Sequence, residues 1–276
     1  MAELNVMLGC DPEAWLFDRE SNQPVSAYGL VPGTKARPHP LEKGMVQVDG
    51  MAIEFGIEPA RTEDEFVNNI RTVLAQVNEI IPKELKVVFQ PVVNFSKEVM
   101  SKQPDEALEL GCEPDFSAYT LLANPRPTPP ATLRSAGGHV HVGWGSDFNI
   151  EDPALMKSCA ALAGNMDWYL GVPSLSWDSD TNRRRLYGAP GAFRPKPYGM
   201  EYRSLSNMWV CDENLQRFVF RNTMRAVEDT LKGVAHSVQP KIFFQGAGSF
   251  DIPAIIMDNW FSIGEAMFRG EEDVNV

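Results

Sequence analysis

The sequence predicts an α+β fold, with a mostly antiparallel sheet and helices packed on one side of it. Predicted strands and helices do not alternate strictly along the chain, as they would in a parallel βαβ sheet. Of the 276 residues, 43% are hydrophobic, which is ample for one large buried core. Because neither a linker nor a repeat interrupts the pattern, we expect residues 1–276 to form a single domain.

Five segments rich in apolar and β-favouring residues predict the strands. Asp49-Gly50 is a turn signal inside the second segment. Pro91 cannot donate to a ladder, so the third segment is expected at an edge or a bulge. The strands are expected at residues 4–17, 45–57, 86–95, 139–144 and 198–205.

Helix starts are predicted by capping residues. Thr62 with Glu65 forms a capping box, followed by apolar residues at helical spacing. Asp152 before a proline and Asp212 before an apolar-periodic run are further N-caps. The helices are expected to start after Thr62, Asp152 and Asp212, the last ending near Ala235, with a final helix at 253–268. Residues 96–136 and 173–197 are predicted to be irregular loops.

Composition narrows the function classes. The formal net charge of −12 disfavours nucleic acid and anionic membranes as partners, because both carry phosphate. No apolar stretch reaches membrane-spanning length, and the N-terminus does not look like a signal peptide. The four cysteines are scattered without a Cys-x-x-Cys pair, which disfavours a zinc knuckle. We expect a cytoplasmic protein with reduced thiols.

Three predicted strands carry pairs of polar residues two positions apart, so both members of each pair share a face. The pairs are Asp11 with Glu13, His139 with His141, and Glu201 with Arg203. Each pair alone is typical of a solvated sheet face. Together, with a fourth carboxylate at Glu54 and the glycine-flanked GGHVHVG segment, they favour a metal site. Carboxylates with one or two imidazoles suit Mg²⁺ or Mn²⁺.

A cationic segment leads into the last of these strands. Six basic residues lie in TNRRRLYGAPGAFRPKPYGMEYR, namely Arg183, Arg184, Arg185, Arg194, Lys196 and Arg203. Cations beside a carboxylate–metal cluster are what phosphoryl transfer requires. Neither a P-loop nor a G-x-G-x-x-G segment after the first strand is present, which disfavours those two nucleotide sites.

Several motifs in order resemble those of a known family. GCDPEAW, VDGMAIEFGIEPA, GCEPDFSAY, GGHVHVGW and RRRLYGAPGAFRPKPYGMEYR resemble motifs of the bacteriophage carboxylate–amine ligases, or amidoligases. That family is similar in fold to glutamine synthetase and glutamate–cysteine ligase. The resemblance covers residues 5–210, and the ordered set is more specific than any single motif.

The resemblance implies an antiparallel sheet that forms one side of an active-site funnel, with ATP and Mg²⁺ or Mn²⁺ on its face. It assigns Glu13 and Glu54 to one metal, and Asp11, His139 and Glu201 to a second. The expected phosphate-binding residues are Arg184 or Arg185, Arg194, Lys196 and Arg203. The expected catalytic residues are Glu54, Arg194 and Arg203, and the expected substrate contacts are His141, Arg134 and Asp115. Glu58 is left without an assigned role. Glu113 and Asp115 of the second GC-acid-P motif either line the amine site or cap a turn, and the two interpretations stay open.

The implied reaction joins a small-molecule or peptide carboxylate to an amine through an acyl phosphate, with Glu54 or Asp49 as the base. A homo-oligomer is possible, and a phage-encoded chain would act in the host cytoplasm. Two alternatives stay open. One is a His-x-His metallohydrolase or cupin-like enzyme with His139, His141 and Glu201 as ligands. The other is a non-catalytic ligand- or nucleotide-binding phage protein.

Overall fold

A computed structural model of the protein describes residues 5–109, 114–236, 238 and 243. The strands are β1 Met7–Cys10, β2 Glu13–Asp18, β3 Pro24–Val25, β4 His39–Leu41, β5 Gly44–Asp49, β6 Ala52–Ile57, β7 Leu85–Val88, β8 Val92–Asn94, β9 Phe116–Ser117, β10 Leu133–Ser135, β11 Val140–Gly143, β12 Ala192–Lys196 and β13 Gly199–Tyr202. The α-helices are α1 Glu63–Ile80, α2 Lys97–Ser101, α3 Asp105–Leu108, α4 Pro153–Met166, α5 Val172–Ser174, α6 Thr181–Leu186 and α7 Glu213–Leu231.

Two antiparallel sheets form the framework. The first has the strand order β1-β11-β13-β12-β9. The second has the order β3-β2-β6-β5-β4, and β7 also pairs with β2. A separate ladder joins β8 to β10. These antiparallel pairings and the helices confirm the predicted α+β class.

The two sheets meet at Asp11-Pro12, where one strand was expected over residues 4–17. That expectation was wrong in one respect, because the strand breaks here into β1 and β2. Pro12 has no N–H to donate to a ladder. Hydrogen bonds still cross the corner, from Glu13 N to the Gly137 carbonyl at 2.9 Å. The corner places the side chains of Asp11 and Glu13 where the two sheets join.

The long helices cover one side of the sheets. Helix α1 packs on β5 and β6, α4 packs on β12 and β13, and α7 packs on both helices. The predicted caps are confirmed, since the side chains of Thr62, Asp152 and Asp212 accept bonds from the first turns of α1, α4 and α7. In the part of the chain that the structure describes, no helix combines the length and the apolar character needed to span a membrane.

Four expectations about local structure need comment. The segment 173–197 is not an irregular loop, because it contains α6 and β12. The strand β12 depends on pairing with β9 and β13, which local composition does not reveal, whereas α6 begins after an Asp180 cap that is local. The segment 96–136 likewise holds α2, α3, β9 and β10, and the strand expected at 86–95 is divided at Pro91 into β7 and β8. The helix expected at 253–268 lies outside the described residues.

The main core lies between the sheets and helices α1, α4 and α7. Phe66 of α1 stacks on Trp209 at a ring-centroid distance of 6.0 Å. The Trp209 indole donates to the Gly138 carbonyl at 3.0 Å, so the core is bonded to the backbone that enters β11. Cys10, Cys159 and Cys211 are free thiols, while Cys112 lies outside the described residues.

Candidate active site

The sheet register sets polar side chains next to one another on β11, β13 and β12. His141 lies opposite Glu201, and Glu201 lies opposite Arg194. Residues directly opposite in an antiparallel pair point to the same face with their side chains in reach. Lys196 and Arg203 follow Arg194 and Glu201 at two-residue spacing and share that face. The cationic and metal-type residues are therefore brought together by strand pairing alone.

The Asp11 carboxylate lies between the two histidines. Its Oδ1 atom is 3.2 Å from His139 Nδ1 and 3.0 Å from His141 Nε2. His139 Nδ1 also lies 3.3 Å from Glu201 Oε1. The His141 Nδ1 atom makes a short hydrogen bond with the Tyr198 hydroxyl, which leaves Nε2 directed towards Asp11. Asp11, His139, His141 and Glu201 thus form one contiguous group, which we call the imidazole cluster.

Electrostatics differ within the imidazole cluster. Burial opposes ionisation of Asp11, but the two imidazoles outweigh it and hold the pKa of Asp11 well below its usual value. Burial lowers the pKa of His139, and the Arg203 guanidinium lowers it further. Burial would also lower the pKa of His141, but the Asp11 carboxylate outweighs burial and raises that pKa.

Glu201 is the most enclosed member of the cluster, with 1% of its side chain exposed. Arg203 Nη1 bonds its Oε1 at very short range, while Lys196 Nζ lies 3.0 Å and Arg194 Nη1 3.3 Å from its Oε2. Burial and the nearby Asp11 charge oppose ionisation of Glu201. Arg203 and the imidazoles outweigh both and lower its pKa to about 2. The carboxylate is therefore ionised and surrounded by three cations.

A second group of carboxylates lies on the neighbouring sheet. Glu13 of β2 and Glu54 of β6 are directly opposite each other, an arrangement that is destabilising for like charges. Asp49, at the end of β5, is close enough to raise the pKa of both, although burial is the larger cause. For Glu13 the pKa rises to about 7. We call Glu13, Asp49 and Glu54 the carboxylate corner.

Neutral donors hold the carboxylate corner in shape. The Gly137 amide donates to Glu13 Oε2 at 2.6 Å, and Gln47 Nε2 donates to Glu54 Oε2 at 2.8 Å. A Cβ atom at Gly137 would overlap the His139 imidazole, so any side chain there would force that ring to shift. Gly137 therefore contacts both groups, since its amide bonds Glu13 and its Cα lies against His139.

Both groups fit a divalent cation by the chemistry of their donors. Asp11 Oδ1 and His141 Nε2 are buried, and neither atom has an aligned hydrogen-bond partner among the described residues. Asp11, His141 and Glu201 each offer a ligand atom, and these atoms lie within 4.8 Å of one another. Oxygen donors with an imidazole suit Mg²⁺ or Mn²⁺. In the carboxylate corner, a cation would remove the repulsion between Glu13 and Glu54.

Two cavities approach the imidazole cluster from different sides. One is lined by both acidic and basic groups, among them Glu13, Asp49, Arg134, Arg183 and Arg203. The other has a volume of about 630 Å³ and a glycine-rich wall, and it exposes Asp11, His141 and Tyr198. Members of the imidazole cluster therefore line both cavities, His139 the first and Asp11 with His141 the second.

Two of the predicted substrate contacts lie at the first cavity or beside it. Arg134 lines the cavity, its Nη1 atom bonds the Ala131 and Leu133 carbonyls, and its buried Nε atom has no partner among the described residues. Asp115 Oδ2 lies 3.3 Å from Arg203 Nε, so it touches the cationic group of the site.

Three residues considered from the sequence lie away from the two groups. The Arg184 guanidinium is buried and contacts Asp178 and the Asp180 carbonyl. Arg185 is exposed on α6, and Glu58 is exposed with Lys43 at 3.5 Å. The sequence could not separate these arginines, because side-chain direction on α6 follows from how the helix docks. Glu113 lies outside the described residues.

Two cationic side chains near the carboxylates were given no site role from the sequence, although Arg183 was named among the basic residues of the cationic segment. Arg183 is buried and donates to the carbonyls of Ala136 at 2.7 Å and Ser204 at 2.9 Å, and it lines the first cavity. Lys35 Nζ lies 2.8 Å from Asp49 Oδ1. The run of three arginines was a sequence signal for Arg183. The loop that carries Lys35 contains no comparable signal.

The reverse face of β13 is anchored beneath the site. Tyr202, between Glu201 and Arg203, donates its hydroxyl to Asp167 Oδ1 at 2.6 Å. Tyr119 donates to Asp167 Oδ2 at 2.6 Å. Asp167 is fully buried, and burial raises its pKa to about 6 although hydroxyl donors act in the opposite direction.

The remaining histidines do not join the site. His39 is exposed on β4, and His236 contacts Asp229 at 2.8 Å. A hydrolase or oxygenase site built mainly of histidine would need further imidazoles. Among the described residues, the cluster combines two histidines with two carboxylates and three neighbouring cations.

The fold and the site define an α+β protein in which side chains suited to bind a metal and cations suited to bind phosphate lie on one sheet face. Residues 128–245 match the family model described as phage phiEco32-like COOH.NH2 ligase-type 2, which confirms the resemblance to carboxylate–amine ligases over that part of the chain. A solved structure described as a novel glutamine synthase homolog is similar with 13% identity and a TM-score of 0.42, covering 98% of this chain and 68% of that chain. No curated protein matches the chain.

Proposed function

We propose that this protein is an ATP- and Mg²⁺-dependent carboxylate–amine ligase that forms an amide through an acyl phosphate. One observation carries the proposal. Arg194, Lys196 and Arg203 converge on Glu201 within the imidazole cluster, so cations for phosphate and ligands for a metal share one face. The match of residues 128–245 to a carboxylate–amine ligase family supports the same class.

The cations are suited to the phosphates of a nucleotide. Arg194 and Arg203 offer guanidinium forks, which bind phosphate oxygens through paired hydrogen bonds. Lys196 adds a third positive charge from the same strand as Arg194. Their side chains are largely enclosed, and charge stabilisation is stronger where water is excluded.

The proposed cation sites use the carboxylates and imidazoles of this chain. Asp11, His139 and Glu201 would hold one divalent ion, with His141 beside it, and Glu13 and Glu54 would hold another. Bound there, Mg²⁺ supplies charge neutralisation for phosphate oxygens. Tyr198 fixes the orientation of the His141 ring, and Gly137 fixes Glu13.

The proposed reaction has two steps. A substrate carboxylate oxygen attacks the γ-phosphorus of ATP, the bond to the bridging oxygen breaks, and ADP leaves. The amine nitrogen then attacks the acyl carbon, inorganic phosphate leaves, and a carboxylate of the enzyme accepts the proton from nitrogen. Glu54 and Asp49 are the two candidate bases, and positioning of both substrates supplies the rest of the rate.

Two experiments test the proposal. Isothermal titration with Mg-ATP should show binding, and mass spectrometry after incubation with ATP, mixed acids and mixed amines should show products formed by loss of water. Glu201→Gln should abolish ATP turnover while the chain remains folded by circular dichroism. Absence of nucleotide binding at millimolar Mg-ATP would overturn the ligase assignment.

The same experiments separate the alternatives. Tight binding of a transition metal without ATP-dependent phosphate release would indicate a His-x-His metal enzyme. Nucleotide binding without turnover would indicate a non-catalytic binding protein. The three cations around Glu201 favour the ligase, because they suit the phosphates of a nucleotide.

A further inference from the structure

A tight turn presents Lys35 to the carboxylate corner. Thr34 and Arg37 exchange backbone hydrogen bonds across the turn at 3.0 and 2.9 Å. The Gly33 carbonyl accepts from Val48 N at 3.2 Å, which attaches the turn to β5. Because β5 ends at Asp49, the attachment places the Lys35 ammonium 2.8 Å from the Asp49 carboxylate. The position of this ammonium is therefore set by backbone pairing as well as by charge.

The contact differs from an ordinary surface ion pair. An isolated exposed pair contributes little to stability, and 56% of the Lys35 side chain is exposed. Here, however, the partner belongs to a group of three carboxylates, two of which lie directly opposite each other on β2 and β6. Burial alone would lower the pKa of Lys35, but Asp49, then Glu54 and Glu13, act together to raise it. The ammonium therefore responds to the whole corner.

We propose that Lys35 is a built-in counter-cation of the carboxylate corner, which its ammonium neutralises until a divalent cation binds there and displaces it from Asp49. The inference rests on the proposed function for the metal itself. Two positive charges at one corner repel each other, so binding of the divalent ion and the Lys35–Asp49 contact weaken each other by the same factor. Lys35 thereby sets how tightly the corner holds its metal.

The first test is a titration with Mn²⁺ alone, followed by electron paramagnetic resonance and calorimetry. Lys35→Met removes the competing charge, and Arg37→Met removes an equal charge from the same turn as a matched control. Lys35→Met should bind Mn²⁺ about 5–10-fold more tightly than the wild type, the lower part of the usual range for coupled sites. Arg37→Met should remain within about twofold, since general charge effects are screened by salt.

A second measurement follows the displacement directly. Acetylation of lysines by an N-hydroxysuccinimide ester, read by mass spectrometry, should become several-fold faster at Lys35 when Mn²⁺ is added. The exposed Lys83 is the internal reference within the same sample. Without metal, Lys35→Met should also unfold more easily than Arg37→Met, because its three carboxylates have lost a neighbouring cation.

The outcomes are distinguishable. Equal or weaker Mn²⁺ affinity in Lys35→Met, or unchanged Lys35 acetylation, overturns the inference and leaves the ligase proposal standing. Absence of Mn²⁺ binding in every variant overturns the inference and removes the metal from the proposed function. Tighter binding in both variants would show a general charge effect, which also contradicts the specific role of Lys35.

Discussion

Replacement of Arg183 by methionine tests how the site is held together. The buried guanidinium donates to the carbonyls of Ala136, Ser204 and, at 3.2 Å, Arg203. Ala136 lies in the segment before β11, which leads to His139, and Arg203 and Ser204 lie in the segment after β13. One side chain therefore links the two segments that carry His139 and Arg203. Methionine fills much of the same volume and donates no hydrogen bond.

The expected loss can be estimated from these contacts. Each hydrogen bond from a charged donor contributes about 1.5–3 kcal/mol, and each buried carbonyl left without a partner costs about 1–3 kcal/mol. Burial of the cation offsets part of this, as its effect on the Arg183 pKa, lowered to about 10, indicates. We therefore expect Arg183→Met to lower the free energy of unfolding by about 3–5 kcal/mol, at the upper end of the effects of single substitutions.

The assay is urea unfolding followed by circular dichroism, with a thermal scan in parallel. A loss of this size corresponds to a fall in Tm of roughly 6–20 °C for a chain of this length. Arg185→Met is the matched control, because the exposed Arg185 lies on the same helix, and its loss should stay within about 0.5 kcal/mol. If both variants unfold at the same urea concentration, Arg183 does not connect the two segments.

Three further predictions concern the site and the sheet beneath it. Gly137→Ala should lower metal affinity more than stability, because its Cβ would displace the His139 ring. Gly138→Ala should chiefly lower stability, because its Cβ would overlap backbone atoms. Metal affinity is measured by calorimetry and stability by urea unfolding, and the opposite effects in the two variants would contradict the prediction. Arg203→Lys should weaken nucleotide binding at least tenfold by isothermal titration, since lysine lacks the guanidinium fork, and near-wild-type affinity would refute its role. Burial raises the pKa of Asp167 to about 6, so the folded state binds this proton more readily than the unfolded state and its stability rises as pH falls from 7.5 to 4.5. The wild type should gain about 2 kcal/mol over Asp167→Asn across that range in urea unfolding, and a constant difference would contradict it.

Local chemistry was sufficient to predict the helix starts and the class of fold. The caps at Thr62, Asp152 and Asp212 depend on a side chain and backbone amides two or three residues away, so the sequence contains the whole interaction. The shared face of Glu201 and Arg203 follows in the same way from strand periodicity. These features need no partner from elsewhere in the chain.

Features that depend on distant partners were not predictable. Arg184 and Arg183 are adjacent in sequence, yet Arg184 bonds the segment just before its own helix, whereas Arg183 bonds the carbonyls of Ala136 and Ser204 next to the sheet. The direction of each depends on how α6 docks, which local spacing does not contain.

What the sequence alone determined was the inventory of the site: carboxylates, imidazoles and cations at strand spacing, in the order of a carboxylate–amine ligase. The tertiary structure decided their grouping. The corner at Pro12 places Asp11 beside the histidines and Glu13 opposite Glu54, so one short segment contributes to both groups. The tertiary structure also places Lys35 next to Asp49. Strand register and the packing of distant segments decide such contacts, and neither is contained in local sequence.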